Sequence, residues 1–355
     1  MVTVVLVAAG WLVGATWARF AGEADLGWRW AFMAMTLAFV PATLLGRFWQ
    51  HPLLRPFTLV SAVAVGTLNF ALVAAAGTWL AVGLSHLFGL AVGSRTIVWA
   101  CYGAAAMATL YGLVNAATLR VTRVTVALAD LPPAWRGRTA ALVTDLHFGN
   151  ILGVGFARRL VARLAALAPD VVFVAGDLFD GAAIDQTAVV APWSRLDVPL
   201  GVYFVTGNHD EFAHRPAILA AVRSAGIRVL DNARIDLQGL QIVGVHDAEA
   251  SDPRKFREIL ARVGVNRAQP SILLSHQPAH LGIAEEAGVS LQLSGHTHSG
   301  QFWPWNLVVR RIYGPFAYGL HRFRRLQVLT SSGAGTWGPP VRVGTRAEVV
   351  LITFS

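Results

Sequence analysis

The chain changes its hydrophobic rhythm once, near residue 120. Before that point apolar residues run on with no period. Four stretches, Met1–Ala18, Trp30–Gly46, Phe57–Gly93 and Thr96–Leu119, contain no Asp, Glu, Lys or Arg. A helix needs about 20 apolar residues to cross a bilayer, and the first and last stretches meet this directly. Trp30–Gly46 meets it by borrowing Gly27, Trp28, Phe48 and Trp49. Phe57–Gly93 has 37 residues. As one helix it would be about 55 Å long, against a hydrocarbon core of about 30 Å. It therefore predicts one long span with a protruding end, or two short spans turning near Gly77 or Gly83. Trp11, Trp17, Trp28, Trp30, Trp49 and Trp99 fall near the ends of these stretches, as interfacial aromatics do. The first stretch has no basic leader and no small-residue cleavage motif, so it reads as a retained helix.

Beyond residue 120 short runs of Val, Leu and Ile are cut by Gly, Asn, Asp and Ser. Strands are expected at Thr139–Asp145, Val171–Asp177, Gly201–Thr206, Ile227–Leu230, Leu240–His246, Ile272–His276, Leu291–Ser294, Leu326–Thr330 and Glu348–Phe354. Stretches of helical period lie between them, most clearly Ala157–Leu167, Pro216–Ala225 and Pro253–Val263. Such alternation predicts a layered α/β domain with helices outside the sheets. The expected organisation is a transmembrane helical domain over 1–119 with about four spans, a connecting segment over 120–138, and a second domain over 139–355.

Charge adds to this picture. The net charge is +9, and Lys255 is the only lysine among 29 basic residues. Arginine suits phosphate, because its planar guanidinium grips two oxygens. No basic run carries the aromatic interleaving of a nucleic-acid groove, so no nucleic-acid partner is expected. The only cysteine is Cys101, which excludes an intrachain disulfide and a multi-cysteine zinc site. With four spans, Arg47, Arg55, Arg120, Arg123, Arg136 and Arg138 share one side, against Arg19, Arg29 and Arg95 on the other. Positive residues stay inside, so the expected location is a multi-pass protein of the cell inner membrane with its second domain cytoplasmic. His86, Asn69 and Asn115 interrupt the apolar stretches without an acid among them. That composition fits interhelical hydrogen bonds rather than a transport path.

The second half carries the chemistry. Asp145-Leu146-His147, Gly176-Asp177, Gly207-Asn208-His209-Asp210, Ser275-His276 and Gly295-His296-Thr297-His298 each close a hydrophobic strand with metal-type ligands. Carboxylates, an amide and imidazoles on strand-to-loop turns suit two metal ions, which together can clamp the attacking and leaving oxygens of a phosphoryl displacement. Any one of these residues alone would pass for a helix cap, a turn residue or a core histidine. Five blocks in order do not.

The order of these blocks resembles the calcineurin-like metallophosphoesterase superfamily, over about Thr139 to Ser355. The resemblance implies a four-layer αββα domain. It implies that Asp145, His147 and His298 hold one metal, that Asn208, His276 and His296 hold a second, and that Asp177 bridges them. His209 then contacts the phosphate and protonates the leaving oxygen, and Asp180 orients it. The two divalent ions are expected to be manganese, with iron and zinc as alternatives, since mixed oxygen and nitrogen ligands suit all three. His214, His246, Asp247 and His280 have no assigned place in that scheme.

The stretch after the last ligand carries Phe302-Trp303-Pro304-Trp305, Arg310-Arg311, His321-Arg322-Phe323-Arg324-Arg325 and Trp337-Gly338-Pro339-Pro340. It is similar to the bacterial membrane-associated branch of the superfamily, which includes UDP-diacylglucosamine pyrophosphatases and related phosphodiesterases. Ser299 departs from a glycine common there. The expected partners are the bilayer and a phosphate-containing, lipid-linked substrate. A phosphatase for soluble phosphomonoesters and a non-catalytic membrane sensor are the alternative readings.

Overall fold

The computed structural model describes residues 2–22, 27–49, 51, 53–211 and 215–355, so His214 lies outside the described residues. The chain divides into two compact units, 1–117 with 338–343, and 118–337 with 344–355.

The first unit is helical: α1 (Val2–Ala21), α2 (Gly27–Leu37), α3 (Phe39–Phe48), α4 (Leu54–Leu87) and α5 (Ser94–Ala117). The backbone ladder runs through Ala38, from Ala38 N–H to the Ala34 carbonyl and from Ala42 N–H to the Ala38 carbonyl. Among the described residues, four helical stretches are thus long and apolar enough to cross a membrane, at Val2–Ala21, Arg29–Phe48, Leu54–Leu87 and Ser94–Ala117. Leu54–Leu87 is one continuous helix of 34 residues, unbroken at Gly77 or Gly83.

These helices pack through small residues. α4 buries Ala62, Ala64, Gly66, Ala71, Ala74 and Ala75, which lets backbones approach closely where lipid offers no hydrophobic driving force between helices. Several polar groups are satisfied within the unit. Thr36, Thr67, Thr78 and Thr109 each donate to the carbonyl four residues back. Trp79 Nε1 donates to Thr16, and the Tyr102 hydroxyl to the Val13 carbonyl. Trp11, Trp30, Trp49 and Trp99 are exposed, whereas Trp17 is buried edge-on against Trp99 and Tyr102. The side chain of Trp28 lies outside the described residues.

The segment Gly338–Val343 belongs to this unit. Arg342 N–H donates to the Gly112 carbonyl at 3.0 Å, and Asn115 donates to the Arg342 carbonyl at 2.9 Å. A Cβ on Gly112 would stand 2.4 Å from Val341 Cγ1, so only glycine admits this segment.

Among its described residues the second unit has twelve strands, β1 (Leu119–Val126), β2 (Thr139–Val143), β3 (Val171–Ala175), β4 (Val202–Val205), β5 (Arg228–Val229), β6 (Ala233–Leu237), β7 (Leu240–Gly244), β8 (Ser271–Leu274), β9 (Leu291–Ser294), β10 (Gly319–Phe323), β11 (Leu326–Thr330) and β12 (Ala347–Phe354). Its helices are α6 (Val154–Leu167), α7 (Gln186–Val190), α8 (Asn208–Glu211), α9 (Arg215–Ser224), α10 (Asp247–Ala250), α11 (Pro253–Val263), α12 (Leu281–Ala287) and α13 (Trp305–Tyr313). The strands form two six-stranded sheets, ordered β1-β12-β2-β3-β4-β5 and β10-β11-β9-β8-β7-β6.

Alternation along each strand builds the layers. Ala141, Val143, Val172 and Val174 face α6 and α9 through Leu160, Leu164, Ile218 and Val222. Their neighbours Ala140, Leu142, Val171 and Phe173 face the other sheet, meeting Ile242, Ile272, Leu274 and Leu291. On its far side that second sheet packs Val243 and Leu273 on Phe256, Ile259 and Leu260 of α11 and Ala284 of α12. The order is helix, sheet, sheet, helix. Strands buried on both faces read as continuous apolar runs.

The segment 120–138, expected to be a connection, is folded. β1 pairs in parallel with β12, from Leu119 opposite Ala347 to Val126 opposite Phe354. Leu128, Leu131 and Trp135 then enter the core between the sheets. Arg120 and Arg123 therefore lie in a strand, and Arg136 and Arg138 follow the turn at Trp135.

Candidate metal centre

Parallel strands deliver their C-terminal ends to one edge of a sheet, where α/β proteins bind ligands. Asp145 and His147 follow β2, Asp177 follows β3, Asn208 follows β4, His276 follows β8, and His296 and His298 follow β9. Asp145, His147, Asp177, His296 and His298 all have positive φ. Left-handed backbone is uncommon for residues other than glycine, and such strain collects at functional sites.

The turns are tight. A Cβ on Gly295 would lie 2.2 Å from Asp145 Oδ2 and 2.1 Å from Thr144 Oγ1. Asp145 is held by the N–H of His296 at 3.0 and 3.1 Å and by the Thr144 hydroxyl at 2.8 Å. Asp177 Oδ1 accepts the N–H of His209 at 2.8 Å.

Among the described residues, ligand atoms converge in three overlapping groups: Asp145, His147 and His298; His147, Asp177 and His209; and Asp177, His276 and His296. Nε2 of His147 and Nε2 of His298 are 3.0 Å apart, and the latter is 3.3 Å from Asp145 Oδ1. His147 Nε2 is 3.7 Å from Asp177 Oδ2. Asn208 Oδ1 meets His296 Nδ1 at 2.9 Å. All seven residues expected as ligands are thus brought together. Asp180 stands between two rings, 3.5 Å from Nδ1 of His147 and 3.6 Å from Nδ1 of His209.

The donor set fits a cation. His276 Nδ1 lies 2.8 Å from the Ala175 carbonyl, to which it donates. In the neutral ring Nε2 then carries a lone pair, and it points at Asp177 Oδ2 only 3.1 Å away. Two buried lone pairs at that distance repel unless a proton or a metal sits between them. With the protein's own groups alone, burial disfavours His276 as a cation, yet Asp177, Asp145 and Asp247 outweigh it and push the imidazole up to about 10. Burial works against Asp177 in the same way, and the histidines around it hold it well below the usual carboxylate range. His296 is pushed down to about 3 by burial and by His276. Burial also lowers His209, with His147 and His276 adding to it and Asp177 and Asp180 opposing it.

Other residues near the centre escaped the sequence reading. Asp210 is fully buried and accepts three backbone N–H groups, from Phe179 at 2.9 Å, Gly207 at 2.8 Å and Leu178 at 3.3 Å. It ties the loop of Asp177 to the loop of Asn208. The only sequence signal was its place in the Gly-Asn-His-Asp block. Trp337 sets its ring 5.7 Å from His209, and Tyr313 sets its ring 6.2 Å from His296. His246 lies off the centre, accepting the Thr206 N–H on Nδ1 at 3.0 Å. Asp247 accepts two contacts from Gln277 Nε2, and His280 contacts the Ser251 carbonyl.

A two-sheet sandwich with His and Asp ligands at its strand ends defines a metallophosphoesterase domain. Residues 139–300 match the calcineurin-like phosphoesterase family, and the chain carries a domain of that family. It is similar to an uncharacterized metallophosphoesterase of Campylobacter jejuni, with 30% identity over 69% of this chain and 66% of that one. It is also similar to a transmembrane protein with metallophosphoesterase domain from Danio rerio, 32% identical over 70% of this chain and 60% of the relative. The Bos taurus protein of the same description is 34% identical over 69% and 59%. The chain thus spans less than two thirds of the length of these relatives.

Proposed function

We propose that this protein is a membrane-anchored, metal-dependent phosphoesterase that hydrolyses a phosphodiester or pyrophosphate bond of a lipid-linked substrate. The observation that carries the reading is the membership of Asp177 in two of the three ligand groups, one with His147 and one with His276 and His296. Asp145, His147 and His298 would hold one divalent ion, and Asn208, His276 and His296 a second, with Asp177 between them. Manganese is our first choice. When bound, such ions supply Lewis acidity toward phosphoryl oxygens and acidify water near neutral pH.

The chain's own residues do the rest. Neutral Asn208 adds a ligand without adding negative charge where a phosphate must enter. His209, partly exposed beside Trp337, meets a phosphoryl oxygen in this reading. An entering anion favours its protonated form and opposes the effect of burial. Asp180, facing both His209 and His147, orients the two rings. Arg120 and Arg123 begin three residues after α5 ends, within the stretch where basic residues hold a span end inside. This supports an inner-membrane protein with a cytoplasmic domain. A fluorescent-protein fusion at Ser355 should be bright and an alkaline phosphatase fusion inactive; the reverse pattern would overturn that placement.

The activity is tested on the detergent-purified full chain with Mn²⁺. Substrates are bis(p-nitrophenyl) phosphate, p-nitrophenyl phosphate and a UDP-linked acyl sugar. We expect turnover of the diester or pyrophosphate, abolished in Asp177→Ala and strongly reduced in His209→Ala. Absence of all three activities with two ions bound per chain would sink the reading, and preference for the monoester would redirect it to soluble phosphates.

A further inference from the structure

α13 is unlike every other helix of nine or more residues in the α/β unit, because it buries none of its residues. Its exposed side chains include Trp305, Leu307, Val308 and Ile312, the last 67% exposed. Trp305, Val308 and Ile312 follow the i, i+3, i+7 spacing of one helix face. Trp303 and Trp337 are exposed beside this helix in chain or space. Gln301 fixes Trp337 near the start of α13 by two hydrogen bonds, accepting the Trp337 N–H at 2.9 Å and donating to its carbonyl at 3.0 Å.

Soluble surfaces rarely gather so much apolar area without a binding role. The chemistry of the patch selects its occupant. Arg310 and Arg311 close the helix, both exposed, and neither forms an ion pair among the described residues. Tryptophan at the level of head groups, aliphatic side chains below it and arginines reaching back to anionic oxygens are the features of a helix lying in a membrane interface. The chain supplies that membrane itself, since one residue, Thr118, separates α5 from β1.

We propose that α13, with Trp303 and Trp337, is an interfacial element that lies in the head-group layer of an anionic bilayer and holds the mouth of the metal centre at that surface. The inward side of the same helix carries Tyr313, whose ring meets His296, while Trp337 meets His209. Trp337 therefore belongs both to the apolar rim and to the wall of the centre, and Tyr313 carries the same helix to His296. A phosphate ester in a head group can reach His209 and His296 while its acyl chains stay in the layer. That substrate consequence rests on the function proposed above, whereas the insertion of α13 does not.

The test uses the full chain with Cys101→Ala, reconstituted in nanodiscs of phosphatidylcholine and phosphatidylglycerol. An environment-sensitive fluorophore is attached at Ile312→Cys, or at Lys255→Cys on α11 as a reference. At Ile312→Cys we expect shielding from aqueous iodide and loss of roughly half the emission with brominated lipid, as befits a probe about 5–10 Å below the head groups. Lys255→Cys should show the opposite behaviour. Changing Arg310→Glu and Arg311→Glu together should lower the brominated-lipid quenching in anionic discs. Free access of iodide at Ile312→Cys would overturn the proposal. Shielding without lipid quenching would also overturn it, by showing that protein covers the face. Neither readout depends on turnover, so an inactive enzyme would leave this result standing on its own.

Discussion

At the residue scale the loops of the centre depend on the buried carboxylate of Asp210, which accepts three backbone N–H groups. Burial first, and then the charge of Asp177, raise Asp210 to about 7 against the pull of its three N–H bonds. Asp210→Asn keeps the shape but offers one acceptor oxygen where two were used. At least one buried N–H then loses its partner, at about 1–3 kcal/mol. We expect lower thermal stability by that amount and weaker Mn²⁺ binding in calorimetry, because the loops of Asp177 and Asn208 are no longer tied; unchanged metal affinity would show that the tie is dispensable. His246 makes a second case, away from the ligands. Thr206 N–H occupies its Nδ1 lone pair, so a proton can enter only by breaking that bond. Burial chiefly, with Arg215 and Arg223, lowers this imidazole to about 4, while Asp231 and Glu249 oppose them. The folded protein then binds fewer protons than the unfolded chain. Stability is full above about pH 6.5, the ordinary histidine value, and falls as pH drops toward 4. The loss is at most about 3 kcal/mol. Urea unfolding at pH 7 and pH 5 should show it in the parent and show less of it in His246→Gln.

At the scale of elements, sequence legibility followed the source of the signal. The strands carrying Asp145, Asp177, Asn208, His276 and His296 were readable because they are buried on both faces and end abruptly in polar residues. β1 was not, because Arg120, Thr122, Arg123 and Thr125 make an edge strand look like a basic linker; only its register with β12 gives it away. β6 hid for the same reason, with Arg234 and Asp236 on its outer face. α13 hid because its apolar positions face outward, so no buried face marks its helical period. The one-helix answer for Leu54–Leu87 was equally out of reach, since glycines at 77 and 83 are tolerated inside a helix packed by small residues. The segment Gly338–Val343 yields a prediction at this scale. Gly112→Val drives a branched side chain into Val341, and overpacking of this kind costs about 1–3 kcal/mol. Differential scanning fluorimetry in detergent should show a lowered transition, and Gly103→Val, on the same helix with open space around it, should leave the transition nearly where it was.

For the whole molecule, the two units are stabilised by different physics, and this sets how each responds to metal. The helical unit is held by close packing of small residues and by hydroxyls bonded within their own helices, none of which changes with a divalent ion. The α/β unit concentrates buried carboxylates and imidazoles in one place, with the lone pairs of Asp177 and His276 opposed at 3.1 Å. A ligand that binds only the folded state adds RT ln(1 + [L]/Kd), about 2.7 kcal/mol at a hundredfold excess over Kd. For a domain of this size each kcal/mol moves the midpoint by about 2–4 °C. Removing metal with EDTA should therefore lower the melting of the α/β unit by roughly 5–10 °C and return it on addition of Mn²⁺. The part of the far-ultraviolet circular dichroism that comes from α1 to α5 should melt in a separate transition at an unchanged, higher temperature, while the part from α6 to α13 follows the metal. Asp177→Ala should lose most of the metal response, because both ligand groups that contain Asp177 are broken by one substitution and only that of Asp145, His147 and His298 remains. A common transition that shifts as one with EDTA would mean that the units unfold together and that metal stabilises the entire chain.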